Sequence, residues 1–430
     1  MIDIRILRET PEKVRDNLVK RNMGDFPFNE VLELDRKRRE LLTTNQKLKA
    51  ERNRISLDIS QIKRKGGDAS LLISQMKESS EKIAANDKET AQIEARFHSL
   101  AIALPNFIDA QVPIGKDASA NLEVRRWGEK TTGSKIDHID IANIFDLIDV
   151  ERAAKTSGAR FYFLRRDLAR LNYALISFAL DFLRDRGFVI VQPPYMLKRD
   201  AIGGAVILSD FEDVIYKIED EDLYLIGTAE HAIAAMHMGE IFAGGDLPIH
   251  YAGIIPCFRK EAGAHGRDTK GIFRVHQFEK VEQFVFCEPE KSKQEHQMLL
   301  SNSEEFMKRL GIPHRVMLLS SGDMGKVPSK TFDIEGWIPS QDNYRELVSC
   351  SNCTDFQARS LAIKYRQKAH EESSFLHTLN STLVATERTL VALLENYYRK
   401  DSNVVEVPSE LRRYMNGQSE IRKIERTSTA

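Results

Sequence analysis

The chain lacks the features of membrane-spanning and secreted proteins. No apolar run approaches the roughly 18 residues that cross a bilayer, and no apolar segment with basic residues before it stands near the amino terminus. Four cysteines among 430 residues are too few for a disulfide framework and indicate a reducing compartment. We therefore expect a cytoplasmic protein with neither a signal peptide nor a membrane partner.

The chain also has almost no net charge. Its formal charge of −1 provides no global basic field of the kind that attracts nucleic acids. A length of 430 residues predicts two or three domains and a core large enough to fold independently. Any strongly charged binding surface must therefore be local.

One local pattern predicts a coiled-coil hairpin over residues 28–100. No glycine or proline interrupts residues 28–65, and Gly66-Gly67 then separates them from a second helical run over residues 68–100. A seven-residue repeat marks the first run: Leu34, Leu41, Leu48, Ile55 and Ile62. Two antiparallel helices joined by a tight turn fit this pattern, each about 50 Å long at 1.5 Å per residue.

Charge is divided unequally between the two predicted helices. Residues 36–65 contain eleven Lys or Arg against three Asp or Glu, whereas residues 68–100 contain four against six. A basic helix on a rod suits a phosphate backbone, and on charge alone a solvated structural coiled coil is an equal alternative. The candidate RNA-contacting cations are Arg38, Lys47, Arg52, Arg54, Lys63, Arg64 and Lys65.

Residues 106–430 predict a separate α+β domain on a mostly antiparallel sheet, because short strands and hairpins alternate with long helices. Residues 1–105 then form the amino-terminal domain. Within it, residues 3–7 predict a short strand, and Thr10-Pro11 predicts the start of a helix. A final long helix is predicted over residues 383–398.

The most informative stretch is a predicted hairpin over residues 254–286. Alternate residues of a strand face opposite ways, so the second strand presents one charged and aromatic face. That face carries Arg274, His276, Phe278, Lys280, Glu282 and Phe284, and Arg259 and Glu261 share a face of the first strand. Such a face is costly to bury empty and suits a charged ligand with a flat ring, although a salt-bridged surface hairpin is the alternative. We expect the glycine-rich loop, residues 262–269, to be mobile.

These motifs resemble the class II aminoacyl-tRNA synthetases, and among them the seryl-tRNA synthetases. The segments similar to class II motifs two and three are residues 259–261, 274–282 and 387–388. The segments similar to the seryl enzymes in particular are residues 228–230, 346–359 and 379–382, the last in its archaeal form. The resemblance covers nearly the whole chain. It implies a class II catalytic domain over residues 106–430, preceded by a tRNA-binding arm.

The resemblance implies that the protein activates L-serine with ATP and transfers it from seryl-adenylate to tRNA(Ser), with the selenocysteine tRNA as a further candidate. No protein nucleophile is needed, so catalysis would rest on positioning and on charge neutralisation by Arg259 and Arg388. The arm would grip the long variable arm of the tRNA. A homodimer is also implied, with an interface strand that ends near Pro193-Pro194.

The implied ATP site contains both cations and an aromatic ring. Arg259 would hold the α-phosphate and Glu261 the adenine amino group. Phe278 would stack on adenine, and Arg388 would lie against its other face or hold the γ-phosphate. Glu346 and Ser349 would hold Mg²⁺ through oxygen atoms. The whole implied ATP set is Arg259, Lys260, Glu261, Arg274, Val275, Phe278, Glu346, Leu347, Val348, Ser349 and Arg388.

The implied serine site continues along the same strand. Glu282 would pair with the α-ammonium and lies about 13 Å from Phe278 on an ideal strand, a distance that spans an aminoacyl-adenylate. A pocket that hydrogen-bonds the hydroxyl can reject alanine by roughly 10⁴-fold, since its polar groups would otherwise stay unpaired. The implied serine set is Thr228, Ala229, Glu230, Arg259, Glu282, Asn380 and Thr382.

Two other functions stay open on the sequence alone. One is an arm-bearing paralogue that loads a small amino acid onto a carrier, and the other is a non-catalytic RNA-binding protein. The long arm disfavours the first, and the combined motif residues disfavour the second. Deletion of residues 28–100 is expected to preserve serine activation and abolish charging.

Three residues depart from the seryl pattern. Gly227, Gly336 and Glu387 stand where a proline, a valine and a small residue are usual. We expect Glu387 to be tolerated because it points away from ATP. A zinc site at Cys350 and Cys353 is disfavoured, because a second pair of ligands is missing from the sequence pattern.

Overall fold

A computed structural model describes residues 1–131, 135–211, 213–261, 271–368 and 370–423. The loop expected to be mobile, residues 262–269, lies outside the described residues. The chain divides into two compact units, Met1–Pro105 and Asn106–Ala430. None of the helices in the described ranges combines the length and apolarity needed to cross a membrane.

The helices and strands are numbered in chain order. The helices are α1 (Ile4–Glu9), α2 (Pro11–Lys20), α3 (Phe28–Arg64), α4 (Ser70–Ala103), α5 (His138–Phe145), α6 (Val150–Ser157), α7 (Arg166–Arg184), α8 (Arg199–Ala205), α9 (Leu208–Phe211), α10 (Ala229–Met236), α11 (Ser292–Arg309), α12 (Phe356–Ser360), α13 (Thr386–Tyr397) and α14 (Ser409–Arg412). The strands are β1 (Leu122–Trp127), β2 (Ile148–Asp149), β3 (Phe163–Leu164), β4 (Val189–Val191), β5 (Met196–Leu197), β6 (Tyr224–Leu225), β7 (Ile241–Ala243), β8 (Ile249–Phe258), β9 (Gln277–Cys287), β10 (His314–Leu318), β11 (Lys330–Ile338), β12 (Asn343–Thr354), β13 (Lys364–Arg366), β14 (Ser374–Phe375), β15 (His377–Ala385), β16 (Tyr398–Arg399), β17 (Val404–Glu406) and β18 (Glu420–Arg422).

The amino-terminal unit contains helices α1 to α4, and a helix occupies the segment where the sequence predicted a short strand. Residues 3–7 lie in and before α1, so the strand prediction is wrong. Asp3 accepts a hydrogen bond from the backbone N–H of Arg5 at 2.8 Å, and this cap favours a helix. Pro11 opens α2 as predicted, because its missing N–H costs nothing at the first helical position.

Helices α3 and α4 form the long antiparallel hairpin that the sequence predicted. Its seam differs in detail, since Leu34, Leu41 and Leu48 are only half-buried whereas Ile55 is buried. Two polar residues of α3 are buried instead. Asn45 donates to Asp87 of α4 at 2.8 Å, although its Oδ1 is buried without a partner among the described residues. Asp35 pairs with Arg8 of α1 at 2.7 Å, and this pairing offsets the cost of its burial.

The second unit is built on an eight-stranded sheet in the order β1-β10-β11-β12-β15-β9-β8-β4. The seven pairings are antiparallel except β4 with β8, which confirms the predicted mostly antiparallel α+β architecture. Strands β12 and β15 lie at the centre with β9 beside β15, and residues of all three contribute to the large apolar core. The middle of the sheet is therefore a rigid platform for a site.

Two predicted boundaries are wrong in ways that matter for the site. Strand β8 ends at Phe258, and Glu261 has a φ of 50°, so Arg259 and Glu261 do not share a strand face. The last long helix begins at Thr386, because residues 383–385 continue β15. At Val384 and Ala385, pairing with β9 stabilises the strand more than helix propensity favours a helix.

Two glycines explain close approaches near the site. A Cβ on Gly253 would lie 2.7 Å from the Cβ of Ala229, so α10 packs directly on β8. A Cβ on Gly336 would lie 2.3 Å from Leu347 Cδ1. Valine therefore does not fit at residue 336 while Leu347 keeps its place, which accounts for this departure from the seryl pattern.

Candidate active site

Two adjoining cavities open over the central strands of the sheet. The smaller has a volume of about 230 Å³ and the larger about 550 Å³. The smaller cavity is lined by Thr228, Glu230, Arg259, Phe278, Lys280, Glu282, Glu346, Leu347, Ser349, Ser351, Asn380, Thr382, Ala385, Glu387 and Arg388. The larger cavity shares seven of these and adds, among others, Glu261, Arg274, Lys326 and Asp333. Together they hold most of the predicted site residues.

A buried ion pair lies at one end of the smaller cavity. Lys280 Nζ lies 2.5 Å from the carboxylate of Glu282, and it donates to the Thr228 hydroxyl at 2.7 Å. The Thr382 hydroxyl donates to the same carboxylate at 3.3 Å. Both charged side chains are almost fully buried, so each depends on the other for compensation. This end of the cavity can bind a group that carries both charges.

Arg259 stands between the two ends of the smaller cavity. Its Nε donates to the backbone carbonyl of Gly227 at 3.2 Å, and its guanidinium carbon lies 5.4 Å from the centroid of the Phe278 ring. The Nε atom thus holds the side chain in place. The two terminal nitrogens, Nη1 and Nη2, can donate to a phosphate.

Arg388 lies at the other end, at the start of α13. Its Nη1 is 3.1 Å from the Glu346 carboxylate and donates to the Glu346 backbone carbonyl at 3.1 Å. The guanidinium carbon is 5.3 Å from the Phe273 ring centroid. Arg388 lowers the pKa of Glu346, so Glu346 is an anion in the cavity.

Asp333 places a second acidic group beside Glu346. It lies opposite Ser349 in the ladder of β11 and β12, and its Oδ1 is buried with no hydrogen-bond partner among the described residues. Burial, with the charge of Glu346 as the next cause, raises the pKa of Asp333 well above its ordinary value. A cation would satisfy both groups at once.

Glu230 faces the same cavities from the first turn of α10. Burial raises its pKa to about 7, and repulsion from Glu282 adds to that rise. One carboxyl oxygen accepts a hydrogen bond from Gln357 Nε2 at 2.8 Å. Thr228 caps the helix by accepting from the Glu230 backbone N–H, as the sequence predicted.

Glu387 does not point away from the cavity, so that expectation is wrong. It lines the smaller cavity from the first turn of α13, and its Oε2 is buried without a hydrogen-bond partner in the described part of the chain. Burial raises its pKa to about 7, although Arg388 opposes the shift. The predicted helix began at residue 383, whereas the observed one begins at Thr386, so Glu387 lies in its first turn, directly after β15.

Four predicted contact residues do not present side chains to either cavity. Ala229, Val275 and Val348 belong to the apolar core. The ammonium of Lys260 lies 5.9 Å from the Tyr216 ring centroid.

Glu261 and Arg274 line the larger cavity and form an ion pair with each other. Their charges are therefore already partly compensated.

Sequence reasoning missed two residues that belong to the site. Lys280 was placed on the charged face of the strand between Phe278 and Glu282, but it was assigned no ligand. Asp333 had none, because its position beside Ser349 depends on the register of β11 against β12. Such a register is set by the whole sheet and is not visible in a single strand.

The arm carries its cations unevenly. Arg38 donates to Glu94 at 2.9 Å, so its charge is offset by the neighbouring helix. The other predicted contacts, Lys47, Arg52, Arg54, Lys63, Arg64 and Lys65, make no ion pair within the described residues. They are exposed, except for the half-buried Arg52. Five cations on α3, together with Lys65 just after its last residue, are therefore available to an anionic partner.

The four cysteines give no sign of a metal centre. All are free and buried, and burial raises the pKa of Cys257 and of Cys350 to about 12, so their thiols stay protonated. Across the residues that the structure describes, no group of three or more His, Cys, Asp or Glu side chains could hold a metal by itself.

Two family models match this chain. The model "tRNA synthetase class II core domain (G, H, P, S and T)" matches residues 215–397. The model "Seryl-tRNA synthetase N-terminal domain" matches residues 1–108. The first range includes every residue that lines the smaller cavity, and the second includes the arm.

Whole-length comparisons agree with the family models. The chain is 53% identical to the serine–tRNA ligase of Nitrosopumilus maritimus over 98% of this chain and 100% of that protein. The seryl-tRNA synthetase of Pyrococcus horikoshii, solved in complex with ATP, superposes with a TM-score of 0.91 at 42% identity, covering 99% of this chain and 100% of that one. The cytoplasmic serine–tRNA ligase of Naegleria fowleri, solved with AMP, gives 0.85 at 36% identity, with 99% of each chain covered.

Proposed function

Because this chain belongs to the seryl-tRNA synthetase family and is an ATP-dependent serine–tRNA ligase, we propose that the two cavities form its seryl-adenylate site. The observation that carries the proposal is the arrangement of Phe278, Lys280 and Glu282 on one face of β9, with Arg259 beside them. Phe278 for adenine, Arg259 for the phosphate and Glu282 for the ammonium then follow the order of these groups in seryl-adenylate.

Serine binding would use the buried ion pair. The α-ammonium of serine would take the Glu282 carboxylate, helped by the Thr382 hydroxyl that already contacts it. The serine carboxylate would then lie toward the cations Lys280 and Arg259. Both charges of the amino acid would thus be neutralised in a buried cavity, where such pairing has a large effect.

The first step would be attack of the serine carboxylate on the α-phosphorus of ATP, with loss of pyrophosphate. Arg259 would contact the α-phosphate and stabilise the charge that builds up in the transition state. Phe278 and Arg388 would hold adenine between them. No side chain acts as a nucleophile, so alignment of the two substrates would supply most of the rate enhancement.

The second step would be attack of the 3′-terminal ribose of the tRNA on the seryl-adenylate carbonyl. The larger cavity offers the space for that ribose, because it joins the smaller one at Thr228, Glu230 and Arg259. The leaving AMP would keep its contact with Arg259. The same cation would therefore serve both steps.

Mg²⁺ fits the acidic residues beside Arg388. Glu346 is ionised, Asp333 carries a buried oxygen without a partner, and Ser349 offers a hydroxyl between them. One or two carboxylates plus substrate phosphates are the usual ligands of Mg²⁺. When bound, it would neutralise phosphate charge; Glu346 and Ser349, with Asp333 next to them, would hold it.

The arm would bind tRNA(Ser) through the five cations of α3 and Lys65 that make no ion pair with any described residue. Phosphate contacts of this kind need no base readout, which suits a grip on the backbone of the variable arm. The selenocysteine tRNA is a further candidate for the same reason. A cytoplasmic location agrees with four free cysteines.

A homodimer would be formed through the free edge of the sheet. Strand β4 is the last strand of the sheet, and Val189 and Ile190 are 56% and 42% exposed in the single chain. Exposed apolar residues on an edge strand favour pairing. Sedimentation should give twice the chain mass of 49.1 kDa, and a monomer at micromolar concentration would contradict the proposal.

The experiment that tests the function is ATP–pyrophosphate exchange with each of the twenty amino acids, followed by charging of tRNA(Ser). We expect exchange with serine, and charging of that tRNA. Exchange with serine without charging of any tRNA would favour the carrier-loading alternative. Absence of exchange with every amino acid would leave only the non-catalytic alternative.

Replacement Glu387→Ser should leave ATP affinity equal or improve it. At neutral pH and above, the Glu387 carboxyl loses its proton, and its negative charge then faces the phosphates. Affinity of the unmodified protein for ATP should therefore fall as pH rises through about 7, and the variant should lose that dependence. Calorimetric titration at pH 6 and pH 8 measures both. A large loss of ATP binding in the variant would make Glu387 a positive contributor instead.

A further inference from the structure

The side chain of His138 joins the segment that precedes Phe273 to the helix that carries Arg388. His138 is the first residue of α5, and Glu395 lies about two turns after Arg388 on α13. The backbone N–H of His138 donates to Glu395 Oε1 at 3.1 Å, and the imidazole Nδ1 lies 3.2 Å from the same oxygen. The backbone N–H of Ile272 donates to His138 Nε2 at 3.3 Å. One imidazole ring thus contacts both segments.

The protonation of this imidazole follows from its two partners. A backbone N–H can only donate, so Nε2 of His138 accepts from Ile272 and carries no proton. The proton is then on Nδ1, which donates to Glu395. Glu395 is buried and accepts a further hydrogen bond from the backbone N–H of Ser340 at 3.0 Å. His138 is therefore a neutral ring with one defined tautomer, and each of its nitrogens holds a different segment.

The backbone lies directly against this ring at Gly271. The φ of Gly271 is 85°, and a Cβ there would overlap His138 Nε2. A side chain at residue 271 would therefore push the ring away or force the backbone out of its left-handed conformation. Ile272 is fully buried, so its N–H would be left without a partner and away from water if the ring moved. The close approach is thus part of the same contact.

The anchored segment leads into the candidate active site. The ring centroid of Phe273 lies 5.3 Å from the guanidinium carbon of Arg388, and Arg274 lines the larger cavity. Phe273 is itself buried in close-packed surroundings, so the position of its ring depends on the backbone beside it. Because α13 carries both Glu395 and Arg388, His138 holds Phe273 at a fixed place relative to that cation.

Building on the proposed seryl-adenylate site, we propose that His138 is a positioning residue for ATP binding. It lines neither cavity, so it would not touch a substrate. It acts through Ile272, whose backbone N–H it holds. That bond keeps the Phe273 ring against Arg388, the cation that would lie on adenine. Loss of the bond would let the ring and the guanidinium separate, and adenine would lose its contact on one face. Serine, at the other end of the smaller cavity, would bind as before.

The test compares His138→Gln with His138→Asn by ATP–pyrophosphate exchange. A glutamine amide reaches the position of Nε2 and can accept from the Ile272 N–H, whereas an asparagine amide reaches only that of Nδ1 and can donate to Glu395. We expect His138→Asn to raise KM for ATP about tenfold, the effect of one lost hydrogen bond, with KM for serine unchanged. His138→Gln should restore KM for ATP to within a few-fold of the unmodified value.

A histidine that only filled space would affect the two variants alike. Equal rises of KM for ATP in both, or a rise of KM for serine as large as that for ATP, would overturn the inference. Gly271→Ala tests the same contact from the other side, and it keeps the inference testable if His138→Asn does not fold. It should also raise KM for ATP, and an unchanged value would count equally against the role of His138.

The matched control is His314→Asn. His314 is also a buried histidine, its Nδ1 donates to the carbonyl of Ile312 at 2.8 Å, and it lines neither cavity. Its replacement should leave both KM values unchanged. Absence of serine-dependent exchange in the unmodified protein would overturn the proposed function, and the role of His138 with it. Unchanged KM for ATP in His138→Asn, beside an active unmodified protein, would overturn the positioning role alone.

Discussion

Replacement of six arm cations by glutamine is expected to lower kcat/KM for tRNA charging by at least about a hundredfold at physiological salt. The six are Lys47, Arg52, Arg54, Lys63, Arg64 and Lys65. Each phosphate contact releases counterions and contributes about 0.9 to the slope of log affinity against log salt. The slope should therefore fall by about 5 if all six meet phosphates. Serine-dependent ATP–pyrophosphate exchange should not change.

The six-glutamine variant tests the role of the charges more specifically than deletion of residues 28–100 does. Phe28, Val31, Phe97 and Leu100 are buried, so the deletion would also remove apolar packing within the amino-terminal unit. Glutamine keeps the long side chains and their helix propensity while it removes the charge. Replacement of Lys77, Lys82 and Lys88 on the opposite helix is the control, and it should have little effect. Equal loss of charging in the control would mean that overall charge, not the basic face of α3, binds the tRNA.

Glu282→Gln is expected to raise KM for serine by about a thousandfold in the exchange reaction, with a smaller effect on KM for ATP. The amide keeps the shape of the carboxylate but cannot neutralise an ammonium. Lys280 would also be left as a buried cation without its partner, a loss of about 3–5 kcal/mol in comparable buried pairs. Folding stability should therefore fall as well, and thermal unfolding separates that effect from the loss of serine binding.

The matched control for this substitution is Glu279→Gln on the same strand. Glu279 lies on the opposite face of β9, where it accepts a hydrogen bond from Asn172 at 3.3 Å. Its replacement should leave KM for serine within a few-fold of the unmodified value. If both variants lost serine affinity equally, the charge of the strand would matter and the contact with the ammonium would not.

The parts of the structure that could be predicted from sequence were those with a regular spacing of residue types along a strand or a helix. A period of two placed Phe278 and Glu282 on one face of a strand, and both line the smaller cavity. A period of seven located the arm, although Asn45 lies in the seam as well as the apolar row. Local pattern is informative here because strands and long helices repeat their environment along the chain.

Features that depend on contacts between distant segments could not be predicted. Asp333 meets Ser349 because of the register of two strands, and Gln357 meets Glu230 across 127 residues of chain. The orientation of Glu387 followed from a helix start that pairing of β15 displaced by three residues. In each case the deciding interaction joins elements whose own sequences give no sign of the partner.

The order of strands in the sheet has a consequence for how the protein becomes active during synthesis. Strand β15 lies between β12 and β9 and contributes Asn380 and Thr382, yet it is made after both of its neighbours. Until it emerges from the ribosome, β9 and β12 have no shared partner, and the two halves of the adenylate site stay apart. Pairings of such long sequence separation form slowly. If the proposed adenylate site is correct, we expect nascent chains without β15 to be unable to activate serine.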